Sequence, residues 1–266
     1  MNVSKLCRAA AVTAALLSVP ALAKPPAGCE AMADNAKVKA ALQAVVKDGA
    51  AGNGGLGTEM WATLVNRDGI VCVVAFSGAD RGAQWPGSRQ ISAEKANTAN
   101  AFSLPGLSLS TANLYAPTQP GGSLYGLHYT NMADPSVIFA GPADKYGTAE
   151  DPMVGKRPGG IVAFGGGLAL YDEKGKLVGA LGVSGDTACA DHVIAWKLRK
   201  ALKLDFVPKG LGATDNAILD YKGGASAGGF GHPSCSKESE AIINKLPETQ
   251  AVGKAMAPAP APEKKP

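Results

Sequence analysis

Once its two ends are set aside, this 266-residue chain lacks a surplus of either charge. It carries 26 basic and 22 acidic residues, and the difference sits in Lys5 and Arg8 at the start and in Lys254, Lys264 and Lys265 against Glu263 at the end. Lys24 to Gln250 therefore holds 21 of each sign. Neutralising phosphates takes a concentrated basic face, so no nucleic-acid partner is expected. After the first 23 residues no segment approaches 18 uninterrupted apolar residues, so no membrane span is expected. The chain also has no Gly-x-x-x-x-Gly-Lys-Ser/Thr for nucleotide phosphates. Val183-Ser184-Gly185 does not complete a nucleophile elbow. Asp80, Asp144, Asp172, Asp186 and Asp191 form no carboxylate pair by spacing and read as caps and turns. No catalytic residue is assigned.

What is present begins with a secretory signal. Met1 to Ala23 has a short basic start, an apolar Ala9 to Val19 run and the close Ala21-Leu22-Ala23, which predicts cleavage near Ala23 and a periplasmic or secreted protein. A lipid anchor at Cys29 is disfavoured, because Pro26 stands where an aliphatic residue is required. Residues 237–266 read as a tail, Pro-rich and disordered from about 251. With Cys7 in the signal, four cysteines remain, an even number suited to an oxidising compartment. Three pairings are open; Cys29 with Cys72 and Cys189 with Cys235 is favoured because each joins an edge of the domain to its centre.

Between these ends the pattern is α+β. Cys29 to Val46 reads as a helix. Met60 to Val65 and Ile70 to Phe76 form a hairpin around Asn66-Arg67-Asp68-Gly69. Ser92 caps a helix running to Phe102. Residues 103 to 158 show no sustained periodicity, and a loop of that length is either functional or an elaboration covering a sheet edge or a subunit contact. Leu168 to Tyr171 and Leu177 to Val183 form a second hairpin around Asp172 to Lys176. A helix to Leu202 follows, capped by Asp186 or Ser184. The amides of Gly182 to Thr187 thus lie at a strand end and helix start, where an anion can be held, although any tight turn needs the same residues. A Gly-rich segment from 207 closes the domain, with a short strand expected near Ala217 to Tyr221. Successive strands with no crossover helix between them predict an antiparallel sheet.

Several pieces together resemble the GlcG/HbpS family of haem-degrading or haem-binding domains. They are Met60-Trp61-Ala62-Thr63-Leu64-Val65-Asn66-Arg67-Asp68-Gly69, Ile91-Ser92-Ala93-Glu94-Lys95-Ala96-Asn97-Thr98-Ala99, Gly165-Gly166-Gly167-Leu168-Ala169-Leu170, Gly179-Ala180-Leu181-Gly182-Val183-Ser184-Gly185 and Asp191. Gln119-Pro120-Gly121-Gly122 and Leu124-Tyr125-Gly126-Leu127 fall where family members carry a similar loop. The resemblance covers most of residues 32 to 203. It implies a profilin-like fold of α/β/α layers with a central antiparallel sheet, homo-oligomers, and a site for haem or a related tetrapyrrole near the subunit surface. Here the domain spans 24–236, with an insertion at 131–158 and a Cys-bearing extension at 207–236. The expected function is an exported small-ligand-binding protein, for binding, storage or sensing. The alternative is an enzyme or enzyme-accessory subunit acting on a small organic acid or haem in the same pocket.

The loop Arg81 to Arg89, RGAQWPGSR, offers two guanidinium groups, an indole and a helix start. Such groups suit propionate carboxylates and the face of a flat ring, although a solvated loop has the same composition. Lys95 and Thr98 lie one turn apart, beside Ser92, and line the same mouth; Gly166 and Ser184 complete the candidate site. There is no Cys-x-x-Cys-His for covalent haem, but His128, with Met132 nearby, is a candidate axial ligand. Cys189-Ala190-Asp191-His192 faces His232-Pro233-Ser234-Cys235 in mirror order. Zinc bound by Cys189, His192, His232 and Cys235 is the minor alternative to a Cys189–Cys235 disulfide with two bystander histidines.

Overall fold

The computed structural model describes residues 25–252. The expected signal peptide and the Pro-rich end of the tail beyond 252 lie outside the described residues. Four antiparallel strands, β1 (Trp61–Asn66), β2 (Val71–Phe76), β3 (Gly167–Tyr171) and β4 (Leu177–Ser184), form one sheet in the order β2-β1-β4-β3. Both hairpins fall where the turn residues placed them. Asn66 Oδ1 accepts from the backbone N–H groups of Asp68 and Ile70, and Asp172 Oδ1 accepts from those of Lys174 and Lys176. Each aspartate or asparagine side chain thus closes its own turn.

Every residue of β1 is buried, because both faces of the sheet are covered. Ala62 and Leu64 face one apolar cluster that includes Val38 and Leu42 of α1 (Asn35–Val46) and Ile194 and Leu198 of α7 (Ala188–Ala201). Trp61 and Val65 face another, with Ala93, Ala96 and Ala99 of α3 (Ser88–Phe102). The result is the layered α/β/α arrangement expected, with α1 and α7 on one side and α3 on the other. Glycine permits the closest approach. A Cβ on Gly182 of β4 would lie 1.9 Å from the carbonyl oxygen of Ser92 and 2.5 Å from the amide nitrogen of Ala96. The small residues of α3 and the missing side chain of β4 are one fit.

Several boundaries differ from the sequence expectation. Helix α1 begins at Asn35 rather than Cys29, because Asp34 caps it by accepting from the Lys37 N–H, and Cys29 sits in a preceding turn. Helix α3 begins at Ser88, so Ser92 is not its cap; its hydroxyl is buried against Thr63 Oγ1 at 2.7 Å. Thr187 caps α7, not Asp186 or Ser184. Residues 217 to 221 run beside 231–232 through two backbone hydrogen bonds without forming a strand. The expected tail starts with a further helix, α8 (Lys237–Ile243), whose Ile243 is buried against Cys189 and Val193.

Short helical pieces punctuate the rest, namely α2 (Gly49–Asn53), α4 (Tyr115–Thr118), α5 (Leu127–Thr130) and α6 (Pro135–Ile138). The 131–158 segment covers a sheet edge. Lys156 accepts from, and Gly155 donates to, the backbone of Val71 at the outer edge of β2. At the opposite edge Tyr171 of β3 donates to Leu204. Each outer strand is thus met at one end by another segment of the chain.

Candidate functional site

Three buried ion pairs fasten the layers, and two of them involve candidate site residues. Arg89, at the start of α3, reaches Asp151 of the insertion with Nε at 2.9 Å and Nη2 at 2.5 Å, while Nη1 donates to Ile138 O at 2.7 Å. The guanidinium carbon also lies 3.6 Å from the centre of the Tyr146 ring. Lys95, further along α3, donates to Asp191 of α7 at 2.6 Å and to Val183 O at 3.1 Å. Arg199 of α7 holds Asp215 of the extension with Nη1 and Nη2. Buried pairs of this kind are costly to break, because removing one partner strands the other charge.

The pocket with the expected composition opens at the start of α3. It has a volume of about 290 Å³ and is lined by Trp61, Asp80, Arg81, Gly82, Pro86, Arg89 and Tyr146. Its aromatic and guanidinium floor is fixed. Trp61 stacks on Phe76 with ring centres 4.5 Å apart, and Arg89 is clamped as described. The rim is different in kind. Arg81 is exposed, with no salt-bridge partner among the described residues. Asp80, also on the rim, accepts from the Gly82 N–H. Trp85 in the same loop is 52 % exposed. Trp61 Nε1 and the side-chain amide of Gln84 are buried and make no hydrogen bond. Of the two, Trp61 lines the pocket, so one buried donor at its floor has no partner among the described residues.

Lys95, Gly166 and Ser184 come together behind this pocket, in a closed centre. A Cβ on Gly166 would lie 2.9 Å from Lys95 Nζ and 3.0 Å from the Asp191 Cβ, and Ser184 follows the Val183 carbonyl that Lys95 contacts. The Lys95 ammonium also lies 4.7 Å from the Phe164 ring centre. Burial pushes Asp191 up to about 6 and Lys95 down, against the attraction of each for the other. The amides at the strand end do hold anions, and the anions are the chain's own. The Asp186 N–H donates to Asp191 Oδ1, and the Thr187 N–H donates to Asp186 Oδ1. Thr98 is buried on the same helix, accepting from Val162 N–H and donating to Glu94 O. His128 stands apart on α5, half-buried, its ring edge against Tyr129 at 5.1 Å, and Met132 is exposed. His128 is not among the residues that line the pocket at the start of α3.

The cysteines form Cys29–Cys72 and Cys189–Cys235 disulfides, the favoured pairing. This overturns the zinc alternative, since both thiolates are consumed. His192 Nε2 donates to Asn216 Oδ1 at 3.1 Å, which also accepts from the Ala217 N–H, and His232 Nε2 accepts from the Gly165 N–H. No group of three or more metal-binding side chains occurs among the described residues. Burial lowers both histidines to about 4, so they are neutral near pH 7. Gly224-Ala225-Ser226-Ala227-Gly228 has the spelling of a nucleophile elbow. It is instead an exposed turn closed by Lys222 and Ala225, with Ser226 Oγ accepting from the Gly231 N–H. The pocket residues missed in sequence, Trp61 and Tyr146, carry no local signal; Tyr146 reaches the site only through the fold of the insertion.

The family model described as haem degrading protein HbpS-like matches residues 34–199. Among solved structures, the PduOC:heme complex is similar at 23% identity, covering 64% of this chain and 91% of that one, with a TM-score of 0.44. Klebsiella pneumoniae protein ORFY is similar at 23%, covering 64% and 90%, with a TM-score of 0.42. A double mutant of Streptomyces reticuli HbpS is similar at 21%, covering 73% and 99%, with a TM-score of 0.39. No curated protein sequence matches significantly.

Proposed function

The chain belongs to the HbpS-like family of haem-degrading proteins, and from that premise we propose that it is an exported protein that binds haem or a related tetrapyrrole, for binding, storage or sensing. The observation that carries this reading is the pocket at the start of α3, where exposed Arg81 borders a floor of Trp61, Arg89 and Tyr146, with exposed Trp85 in the same loop. A cavity of about 290 Å³ takes one edge of a macrocycle. Arg81 holds a propionate carboxylate there by a charge-assisted hydrogen bond, and Trp85 covers part of the ring face. Arg89 stays on Asp151 and fixes the floor. When bound, the iron of haem supplies redox and ligand-binding chemistry; the residues of the pocket bind and orient the carboxylate edge.

Export to an oxidising compartment is part of the proposal, supported by the two disulfides and the leader-like first 23 residues. Homo-oligomerisation is also proposed; light scattering after gel filtration is expected to give more than one chain per particle, and a clean monomer would remove it. The ligand reading is tested by titrating the protein with haem and with haem dimethyl ester while following the Soret band. The expected result is saturable binding of haem with a shifted band and at least tenfold weaker binding of the ester. Equal affinity for both would exclude carboxylate recognition, and no saturable binding would exclude the ligand.

A further inference from the structure

We propose that the Cys189–Cys235 disulfide is a reducible latch that holds the C-terminal extension over the Lys95–Asp191 centre, and that a dithiol reductant opens it. The inference is independent of the ligand reading. It starts from an asymmetry between the two disulfides. Cys29 and Cys72 are both buried, at 2 % and 7 % exposure, whereas Cys235 is exposed and its partner Cys189 is 1 % exposed. Cys235 lines a groove of about 510 Å³ beside Thr187, Ser236 and the exposed Leu56. Cys29 and Cys72 line a cavity of about 330 Å³, but neither is more than 7 % exposed, so an incoming thiolate meets a more exposed cysteine in this bond than in the other, and exchange requires access to the sulfur attacked.

The buried sulfur is a good leaving group. The Cys189 N–H, at the second position of the 14-residue helix α7, donates to Cys235 Sγ, and the Cys235 N–H donates to Cys189 Sγ, both at 3.2 Å. A thiolate at a helix N-terminus is stabilised, and a lower thiol pKa speeds its departure. The acidic groups at that helix end are engaged elsewhere: Asp186 accepts from the Leu56 and Thr58 N–H groups, and Asp191 pairs with Lys95. The step balances with the dithiol as reductant. Its first thiolate attacks Cys235 Sγ, the S–S bond breaks, and the electron pair leaves on Cys189 Sγ. Its second thiolate then attacks the mixed disulfide, closing the reductant's own disulfide and releasing Cys235 as a thiolate. Two electrons pass to the protein, and the two protons of the dithiol end on Cys189 and Cys235.

What the latch holds is defined by the contacts next to it. His232, three residues before Cys235, accepts from the Gly165 N–H through Nε2 and donates through Nδ1 to Pro233 O. Gly165 and Gly166 lie directly on α7 and on Lys95. The Gly231 carbonyl accepts from Ala116, and the Asn113 side chain bridges Asn216 and Ile218. The extension is thus packed on the loop that seals the Lys95–Asp191 pair, and it lies beyond the residues that the family model matches.

The test uses the full chain under native conditions, with graded dithiothreitol, rapid alkylation, peptide mapping and hydrogen exchange in parallel. Expected are alkylation of Cys189 and Cys235 at a reductant concentration at least tenfold below that which opens Cys29–Cys72, and faster exchange in 111–118, 164–167 and 215–236 with β1 and β2 unchanged. A Cys235→Ser variant is expected to show the same exchange pattern without reductant. Reduction of both disulfides together, prior opening of Cys29–Cys72, or unchanged exchange after selective reduction or in the variant would each overturn the proposal.

Discussion

Arg89 and Arg81 lie eight positions apart, line one pocket and do opposite work. Arg89 is buried with Asp151 at 2.5 Å, so Arg89→Ala strands a carboxylate that is itself buried. The expected cost is about 3 to 5 kcal/mol, read from urea unfolding. Arg81 is exposed and has no salt-bridge partner among the described residues, so Arg81→Ala is expected to change stability by less than about 0.5 kcal/mol in the same assay. The sequence offered both arginines as equal candidates, because nothing near either one names Asp151, which lies 62 residues from Arg89. His192 and His232 supply a pH prediction. Burial lowers both from an ordinary value near 6.5 to about 4, so their contribution is complete above pH 6.5 and is lost as pH falls toward 4. Asp191, raised to about 6, acts in the other direction, contributing at low pH and losing that contribution as pH rises through 6. Two histidines outweigh one aspartate between pH 6.5 and 4, at up to about 3 kcal/mol per histidine. His232→Gln is expected to flatten the acid limb of a Tm-against-pH curve, and an unchanged limb would mean that His232 does not control it.

At the scale of elements, hairpins were legible and helix starts were not. Asn66 and Asp172 close their turns with their own side chains, a strictly local device, so the strands fell within a residue or two of the expected positions. The helix starts failed for a physical reason: Ser92 has the chemistry of a cap, but its hydroxyl is used by Thr63 across the layer. The sequence leaves the 182–187 amides open between a ligand-anion site and an ordinary tight turn; the Asp186 and Thr187 amides are taken by the chain's own Asp191 and Asp186 carboxylates. Helix α3 sits close on the sheet because Gly182 has no side chain. Gly182→Ala would place a carbon 1.9 Å from Ser92 O, forcing the helix outward. A loss of about 1 to 3 kcal/mol is expected, visible as a lower Tm and faster exchange along α3.

On the scale of the molecule, the chain is a layered domain stapled by two disulfides that span 43 and 46 residues. The chain-entropy model assigns each about 4 kcal/mol of stability. Cys29→Ala with Cys72→Ala is therefore expected to lower the urea midpoint about as much as Cys189→Ala with Cys235→Ala, although only the second pair frees the extension. Family membership was legible because the hairpins and α3 carry the repeated pieces between residues 60 and 185. The site was legible only in part, since its floor is assembled from β1, α3 and the insertion. The central claim is that the pocket at the start of α3 receives a tetrapyrrole carboxylate edge. The most direct measurement is a Soret-monitored haem titration of Arg81→Ala beside His128→Ala and the unaltered protein. At least tenfold weaker binding for Arg81→Ala, with an unchanged urea midpoint, is the predicted result; affinity equal to that of the unaltered protein would contradict it.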